Sequence, residues 1–500
     1  MMKTLNKEIT KAIERPVRVL QYGEGNFLRG FVDEMIDIAN EKGVFHGNIA
    51  IVKAIPYGSL DAFREQEGQY TLSLRGIENG QPKVVNRIIT SIADAVGAYE
   101  DYEAYAAYGK LDSLRFIVSN TTEAGIVFDE ADLFEAKPPK TFPGKLTKLL
   151  YERFVFFQGD REKGLIIIPC ELIENNGGTL RQCVISYAKL WKLGEDFLGW
   201  LNEACVFCST LVDRIVTGYP REEAESFWQE AGYVDKLLDT GELFALWVIE
   251  SDKDISEELP LPQAGLPVIF TDNQKPYRER KVRILNGAHT SFVLASYLAG
   301  NDMVLNSMQD KLIREFMRRT VFDEIIPTLS LPKEELIAFA NSVMERFENP
   351  YIKHALLSIS LNSVSKWKAR CLPSFKGYVK SFGKLPAHLT FSLAALMSFY
   401  RSSERTTEGL IAYRDGEAYT VMDDAAVLDF FAKASGLENL AFAKAFLSQE
   451  SFFGEDLTHY EGLAEAVAGH LDAIAAIGMR KTIEGLLAGV DGRFSGQTAQ

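Results

Sequence analysis

Three hydrogen-bonding side chains interrupt the apolar segment "KVRILNGAHTSF" at residues 281–292. If the segment is α-helical, about 100° per residue places Lys281, Asn286 and His289 within an arc of roughly 140°. A dry cleft around them would hold one small polar group, and an alcohol or ketone oxygen is the natural occupant. A lysine whose pKa is lowered by burial from about 10.4 can exchange the hydroxyl proton, while the other two side chains donate hydrogen bonds to the oxygen. If the chain also contains a dinucleotide-binding fold, these three side chains predict hydride transfer without a metal. If it does not, a helix with a structural role is the better interpretation.

The segment "VRVLQYGEGNFLRGFVDEMIDIAN" (17–40) has the pattern of a strand, a glycine turn and a helix. Gly23 and Gly25 would let the backbone turn tightly and approach a pyrophosphate at the start of the helix. The third glycine of the G-x-G-x-x-G motif is displaced, because Leu28 holds its position and Gly30 follows two residues later. The place of the turn, after the first strand of a βαβ unit, favours dinucleotide binding over a tight turn alone.

The ends of three later strands also give evidence about dinucleotide binding. The second strand, "IAIVKAIP", ends near Lys53 and lacks the acidic residue that reads an adenosine ribose. NAD and NADP both stay open on this evidence, since Lys53 could favour a 2′-phosphate or be a solvated lysine. Polar residues follow the next two strands, namely Ser119, Asn120, Thr121, Thr122 and Glu123, and then Glu171, Glu174, Asn175 and Asn176. Parallel sheets bind ligands at such ends, although ordinary loop and N-cap chemistry would also account for these residues.

The elements that must position these residues change type along the chain. Short β-rich runs at 17–23, 48–56, 114–120 and 164–170 alternate with helical stretches such as 27–41 and 144–155. This alternation predicts a parallel sheet covered on both faces. After about residue 275 the pattern is helical, at 308–319, 333–347, 387–401, 424–434, 438–448 and 461–487, with a hairpin around 413–423. We expect an α/β Rossmann-type dinucleotide-binding domain at 1–275 and a mostly α-helical substrate and catalytic domain at 276–500, with "KVRILNGAH" at the junction.

Composition limits the classes of binding partner and the cellular compartment that can be expected. A formal net charge of −15 argues against nucleic acid or an anionic membrane as the main partner. The chain has no run of eighteen apolar residues, a beginning too charged for a signal peptide and only five cysteines, so a cytoplasmic protein is expected. Cys205 and Cys208 form a C-x-x-C without a second pair, which favours two small core residues in a helix over zinc. No metal is expected.

In its motifs the chain resembles the polyol-specific long-chain dehydrogenases, the mannitol dehydrogenase family. "KVRILNGAH" matches the K-x-x-x-x-N-x-x-H signature, and "GEGNFLRGF", "LVDRIV" (211–216) and "LWVIES" (246–251) resemble the same family in matching order. "VSNTTEAGI" and "LLSISLNSVSKWKARCLPS" (356–374) are closer to the branch that interconverts tagaturonate and altronate.

The resemblance implies a Rossmann-type domain, NAD as cofactor and metal-independent catalysis. Lys281 would be the general acid/base, Asn286 and His289 would bind the reacting oxygen, and Asn176 and Asp213 would belong to the active site. The residues expected to bind the cofactor are Tyr22, Gly23, Gly25, Asn26, Phe27, Asn120 and Thr121.

A uronate substrate needs a place for its carboxylate, and "SKWKARCLP" offers one candidate. Lys366 and Arg370 are four residues apart and share a helix face that excludes Lys368; His354 could join them. The alternative is a solvated basic face. Fructuronate or a neutral polyol stays open as the substrate, and a dinucleotide-binding sensor or scaffold without turnover is the rival from a different class.

Overall fold

The computed structural model describes residues 2–122 and 124–489, so Glu123 of the strand-end cluster lies outside the described residues. The chain divides into two compact units. The first contains the described residues up to Gly76 together with Gln81–Gln274, and the second contains Ile77–Gly80 and the described residues from Lys275 onward.

The central sheet of the first unit has six strands, and all of its pairings are parallel. Its spatial order is Ile92–Gly97, Asn48–Lys53, Val17–Tyr22, Phe116–Ser119, Ile166–Pro169 and Val206–Phe207. Numbered along the chain, this is the order 3-2-1-4-5-6 of doubly wound dinucleotide-binding sheets. The expected Rossmann-type fold is confirmed, and the strand order reverses between Val17–Tyr22 and Phe116–Ser119.

Hydrophobic clusters cover both faces of this sheet, as its continuous apolar strands predict. One cluster takes alternate strand residues such as Val19, Ile49 and Phe116 and packs them against Phe31 and Met35. The other takes Leu20, Val52 and Ile117 and packs them against the helices Phe142–Phe156 and Asn176–Leu190. The strands are therefore packed on both faces up to the ends from which the loops begin.

The helix expected at 27–41 is broken into Asn26–Arg29 and Val32–Glu41. At Gly30 a Cβ would lie 3.0 Å from both methyl groups of Val216, so the chain comes too close to that side chain for a larger residue. The remaining helices of the first unit are Lys7–Thr10, Asp61–Glu65, Tyr102–Tyr108, Glu195–Glu203 and Ala224–Ala231, with 3₁₀ turns at Arg161–Lys163 and Leu261–Ala264.

Smaller sheets accompany the central one, and the sequence pattern did not predict them. Two have three strands each, and a third joins two short segments in parallel. Their strands are Asp239–Glu242, Tyr70–Glu78 and Gln81–Ile89; Ser209–Asp213, Leu246–Glu250 and Val268–Thr271; and Lys3–Thr4 with Tyr233–Val234. Cys205 and Cys208 are buried and free, as expected for core residues. The expectation that they lie in a helix is wrong, because they flank the strand Val206–Phe207.

The second unit is mostly helical, as expected. Its hairpin joins Leu410–Arg414 to Glu417–Val421. Its α-helices are Lys275–Arg280, Gly287–Leu298, Val304–Gln309, Lys311–Arg319, Lys333–Phe347, Leu356–Ile359, Ser363–Arg370, Leu372–Phe382, Ala387–Tyr400, Ala425–Ala434, Asn439–Leu447, Glu450–Phe453 and Leu463–Leu487. Two π-helical segments, Lys281–Asn286 and Thr320–Ile325, and 3₁₀ turns at Ile326–Thr328 and Leu457–His459 complete it. Among the described residues no helix is long and apolar enough to cross a membrane.

Candidate active site

The glycine turn after Val17–Tyr22 has the geometry that a dinucleotide requires. Gly23 has φ 123°, which favours glycine, and a Cβ there would lie 3.1 Å from the carbonyl oxygen of Asn120. Gly25 precedes the helix Asn26–Arg29, and no heavy atom lies within 4 Å of a Cβ built on it. The backbone at Gly25 is therefore open to a close ligand, and the turn fits a pyrophosphate.

The neighbouring side chains of the turn have structural contacts. Tyr22 is buried, and its hydroxyl lies 2.6 Å from that of Tyr105. The Oδ1 of Asn26 accepts a hydrogen bond of 2.6 Å from Arg29, and Phe27 stacks on Phe31. The Tyr22 hydroxyl is thus engaged within the protein, and the expected contact of Tyr22 with a cofactor stays a prediction.

A buried carboxylate, Glu171, ties together the two strand-end loops that the sequence singled out. The Thr121 backbone N–H and hydroxyl donate to Glu171 Oε1 at 2.9 and 3.0 Å, and Ser119 donates to Oε2 at 3.1 Å. Asn120 donates from Nδ2 to the carbonyl of Cys170 at 2.8 Å. These contacts tie the loop after Ile166–Pro169 to the end of Phe116–Ser119, one of the two strands between which the order reverses, and such sheets bind ligands at that point.

Asn176 and Asp213, both expected in the active site, lie in the first unit. The amide of Asn176 donates to the main-chain oxygens of Pro169, Glu171 and Thr210 and accepts from the N–H groups of Gly177 and Thr210. Asp213 is buried at the end of the strand Ser209–Asp213. The main chain engages every polar atom of the Asn176 side chain, so these contacts give it a structural task; its expected catalytic role stays a prediction.

Lys53 is buried and has an acidic partner, whereas the sequence left it either as a solvated lysine or as a cation for a 2′-phosphate. Its side chain is buried, and its Nζ lies 2.6 Å from Glu100 Oε1 and donates to the carbonyl of Gly58 at 2.8 Å. The interpretation as a solvated lysine is therefore wrong.

The trio of the second unit lies on a π-helical turn, which the sequence did not predict. Lys281–Asn286 is π-helical, and the α-helix resumes at Gly287 with His289 in its first turn. A π turn takes in nearly one residue more than an α turn, so Asn286 comes closer to the side of Lys281 than the α-helical estimate allowed. Such π segments frequently occur at functional sites. Lys281 and Asn286 are both partly exposed.

Arg283, inside the π turn, holds that turn against two other elements. It is buried, its Nε donates to Ser374 Oγ at 2.9 Å, and its Nη2 donates to Thr328 Oγ1. The turn also packs against the helix Ser363–Arg370, where a Cβ on Gly287 would lie 3.3 Å from the carbonyl oxygen of Arg370. No pattern in the sequence pointed to Arg283, because a lone arginine in an apolar segment is indistinguishable from a surface residue.

His289 is a neutral imidazole with an unused nitrogen. Its ring stacks on Phe347 with centroids 4.1 Å apart and meets His354 edge-on at 5.4 Å. Burial lowers the pKa of His289 well below its ordinary value, and the nearby basic side chains of His354, Arg370, Arg346 and Lys366 lower it further. Its Nε2 is buried and has no hydrogen-bond partner among the described residues. A neutral ring held in this way can donate one hydrogen bond to a ligand oxygen.

Four basic side chains, Arg346, His354, Lys366 and Arg370, form a basic cluster around His289. Burial lowers the pKa of Lys366 first, and Arg370 lowers it further, as expected for two cations on one helix face. Lys368 is exposed, which confirms that it points elsewhere. Within the described parts of the chain, no carboxylate lies within ion-pair distance of Lys366 or Arg370. The cluster is therefore suited to an anion from outside; the sequence pointed to three of its members and missed Arg346.

The described residues were also examined for side chains that could bind a metal ion. In residues 2–122 and 124–489 no group of three or more histidine, cysteine or carboxylate side chains could hold a metal ion. Independence from metal remains a prediction for experiment.

Two family models match the chain almost end to end. The mannitol dehydrogenase Rossmann domain matches residues 17–263, and the mannitol dehydrogenase C-terminal domain matches residues 273–475. The chain belongs to the mannitol dehydrogenase family. The resemblance inferred from the motifs is confirmed.

Relatives inside the mannitol dehydrogenase family extend this result. Altronate oxidoreductase of Escherichia coli O7:K1 is 44% identical over 494 residues, which cover 97% of this chain and 100% of that protein. The crystal structure of a D-sorbitol dehydrogenase in substrate-free form is similar with a TM-score of 0.78 at 20% identity, covering 96% of this chain and 100% of that one. Pseudomonas fluorescens mannitol 2-dehydrogenase, solved as a ternary complex with NAD and D-mannitol, has a TM-score of 0.65 at 21% identity, with coverage of 97% and 100%. At these identities the two solved structures support the fold.

Proposed function

We propose that this member of the mannitol dehydrogenase family is an NAD(H)-dependent oxidoreductase that interconverts D-tagaturonate and D-altronate. The observation that carries the proposal is the basic cluster beside His289, in a chain whose formal net charge is −15. A substrate carboxylate that leaves water needs a cation or several donors, and Lys366 and Arg370 supply cations with no carboxylate within ion-pair distance among the described residues. The full-length identity of 44% to an altronate oxidoreductase supports the same substrate.

The first unit would hold the dinucleotide at Gly23, Gly25 and the loop of Asn120 and Thr121, and NADH would supply the hydride when bound. Lys281, as an ammonium, would donate a proton to the ketone oxygen during reduction and, as an amine, would take it back during oxidation. Asn286 and His289 would donate hydrogen bonds to that oxygen and stabilise the charge that develops on it. The low pKa of His289 suits this task, since a neutral donor does not compete with Lys281 for the role of acid.

Fructuronate carries a carboxylate too, so the basic cluster would also accept it, and the altronate-type relatives favour tagaturonate. A neutral polyol would leave the cations of the cluster without an anion. A sensor without turnover would have no need for Lys281, Asn286 and His289 together. We further propose a cytoplasmic location, which the five free cysteines support.

The test is to mix the purified full-length protein with NADH and a panel containing tagaturonate, fructuronate and fructose, and to follow NADH absorbance. We expect the highest kcat/KM on tagaturonate, and altronate with NAD should drive the reverse reaction. Preference for fructuronate or fructose would replace the proposed substrate. NADH that binds but is not consumed with any member of the panel would favour the sensor.

A further inference from the structure

The carboxyl end of the second strand, Asn48–Lys53, is the place where dinucleotide-binding sheets distinguish NAD from NADP. An acidic residue there binds the ribose 2′-hydroxyl of NAD, whereas a cation accommodates the 2′-phosphate of NADP. In this chain the strand ends in Lys53, a cation beside the central strand Val17–Tyr22 that leads into the glycine turn. Taken alone, this residue would favour NADP.

The structure supplies the missing carboxylate from another element. Glu100 Oε1 lies 2.6 Å from the Nζ of Lys53, and Glu100 Oε2 lies 2.6 Å from Nη2 of Arg64. One carboxylate therefore bridges two cations. Hydrogen bonds from Lys53 and then Arg64 lower the pKa of Glu100, so the carboxylate is ionised at neutral pH.

Sheet topology places Glu100 at this strand end. The strand Ile92–Gly97 pairs in parallel with Asn48–Lys53, and Lys53 is in register with Gly97. After Gly97 the chain turns, with the Glu100 N–H donating to the Gly97 carbonyl at 3.0 Å. A Cβ on Gly97 would lie 2.8 Å from Cδ of Glu100, so the glycine leaves room for the carboxylate. The third strand in chain order thus supplies the acidic group that the second strand lacks.

We propose that Glu100 makes the protein select NAD over NADP. This inference rests on the proposed function. Glu100 pairs with both Lys53 and Arg64, and about 39% of its side chain stays exposed, so it can accept hydrogen bonds from the adenosine ribose. A 2′-phosphate at the same place would meet the carboxylate as a like charge and would find both cations already paired.

The experiment measures the dissociation constants of NADH and NADPH for the full-length protein by isothermal titration, independently of turnover. In Glu100→Gln the negative charge is lost, Lys53 loses its carboxylate partner, and Arg64 is left with the longer contact of 3.5 Å with Asp61. We expect NADPH to bind about 10- to 100-fold more tightly than to the wild type, the range of one charge-assisted hydrogen bond, while NADH binds several-fold more weakly. Adding Arg64→Met to Glu100→Gln should remove at least half of the gain in NADPH affinity.

Two further variants separate cofactor choice from stability. Glu103→Gln is the matched control: Glu103 is exposed and pairs with Lys137 at 2.5 Å, so its loss should leave the ratio of the two affinities within twofold. Glu100→Asp keeps the charge and should keep the preference for NADH, even if Glu100→Gln folds poorly.

The outcomes distinguish this inference from the proposed function. If the wild type reduces tagaturonate with NADH but Glu100→Gln keeps the wild-type affinity ratio, Glu100 is only a structural ion pair and the inference is overturned. A wild type that prefers NADPH overturns it as well. A wild type that binds neither dinucleotide overturns both the inference and the proposed function.

Discussion

Replacing Lys366 or Arg370 by methionine should impair the use of a carboxylate-bearing substrate far more than that of a neutral keto-sugar. Methionine keeps much of the aliphatic stem and deletes the charge. Lys368→Met is the matched control, because Lys368 lies on the same helix, Ser363–Arg370, but is exposed.

The expected magnitude follows from the contacts of the two side chains. Lys366 donates to the main-chain oxygen of Ile359 at 2.9 Å, and Arg370 makes a long contact of 3.4 Å with Thr290 Oγ1. Neither has a carboxylate within ion-pair distance in the described parts of the chain, so deleting its charge breaks no salt bridge among those residues. The loss should therefore appear in substrate recognition: one charge-assisted hydrogen bond contributes about 1.5 to 3 kcal/mol, or roughly 10- to 100-fold in kcat/KM.

The assay compares kcat/KM on tagaturonate and on fructose with NADH as reductant, for the wild type and the three variants. We expect Lys366→Met or Arg370→Met to lower the tagaturonate-to-fructose ratio by that factor, and Lys368→Met to leave it within twofold. Dissociation constants for NADH, measured in parallel, should stay within twofold of the wild type.

One result would refute this reasoning. If both methionine variants keep the wild-type ratio while NADH still binds, the basic cluster does not hold the carboxylate. The anion would then have to be bound elsewhere, or the substrate would not be a uronate.

Three further predictions concern the chemistry and the stability of the two units. Lys281→Ala should fold and bind NADH but lose about 10²- to 10⁴-fold in turnover, the usual contribution of a general acid or base; turnover above a third of the wild type at neutral pH would remove Lys281 from the mechanism. Activity should survive exhaustive dialysis against EDTA, and activity that is lost and then restored by zinc or manganese would show the opposite. Burial raises the pKa of Asp33 to about 7, whereas in the unfolded chain it is about 4. The protonated carboxyl therefore stabilises the folded protein by up to about 4 kcal/mol below about pH 4, and this stabilisation is lost as the pH rises through 7. Asp33→Asn should therefore flatten the pH dependence of stability in denaturant titrations between pH 4 and 8, and an unchanged slope would contradict this assignment.

A fifth prediction tests the π turn. Arg283→Met should lower kcat at least tenfold while the dissociation constant of NADH stays within twofold, because the turn that carries Lys281 and Asn286 loses its contacts with Ser374 and Thr328. Arg283→Lys, which keeps the charge but not the forked geometry, should recover part of the loss. Turnover of Arg283→Met within twofold of the wild type would show that the turn holds its shape without the arginine.

Local patterns in the sequence determined a large part of this protein. Apolar runs such as 164–170 gave the buried parallel strands, and the helix expected at 333–347 is observed as Lys333–Phe347. The four-residue spacing of Lys366 and Arg370 placed them on one face, because helical periodicity is a local property. Motif spacing also led to the family. These features depend on neighbours within one or two turns of the chain, and the sequence displays such neighbours directly.

Tertiary structure decided the features that join distant segments. The π turn at Lys281–Asn286 is held by contacts with Thr328 and Ser374, so α-helical periodicity alone gave the wrong arc for the trio. Glu100 and Lys53 are 47 positions apart in the printed sequence, and only the parallel register of their two strands brings the carboxylate to the lysine. Likewise, Arg346 lies near His289 because separate helices pack together. The interaction between two charges depends on their distance in space, and in this protein the folded sheet and helices set those distances.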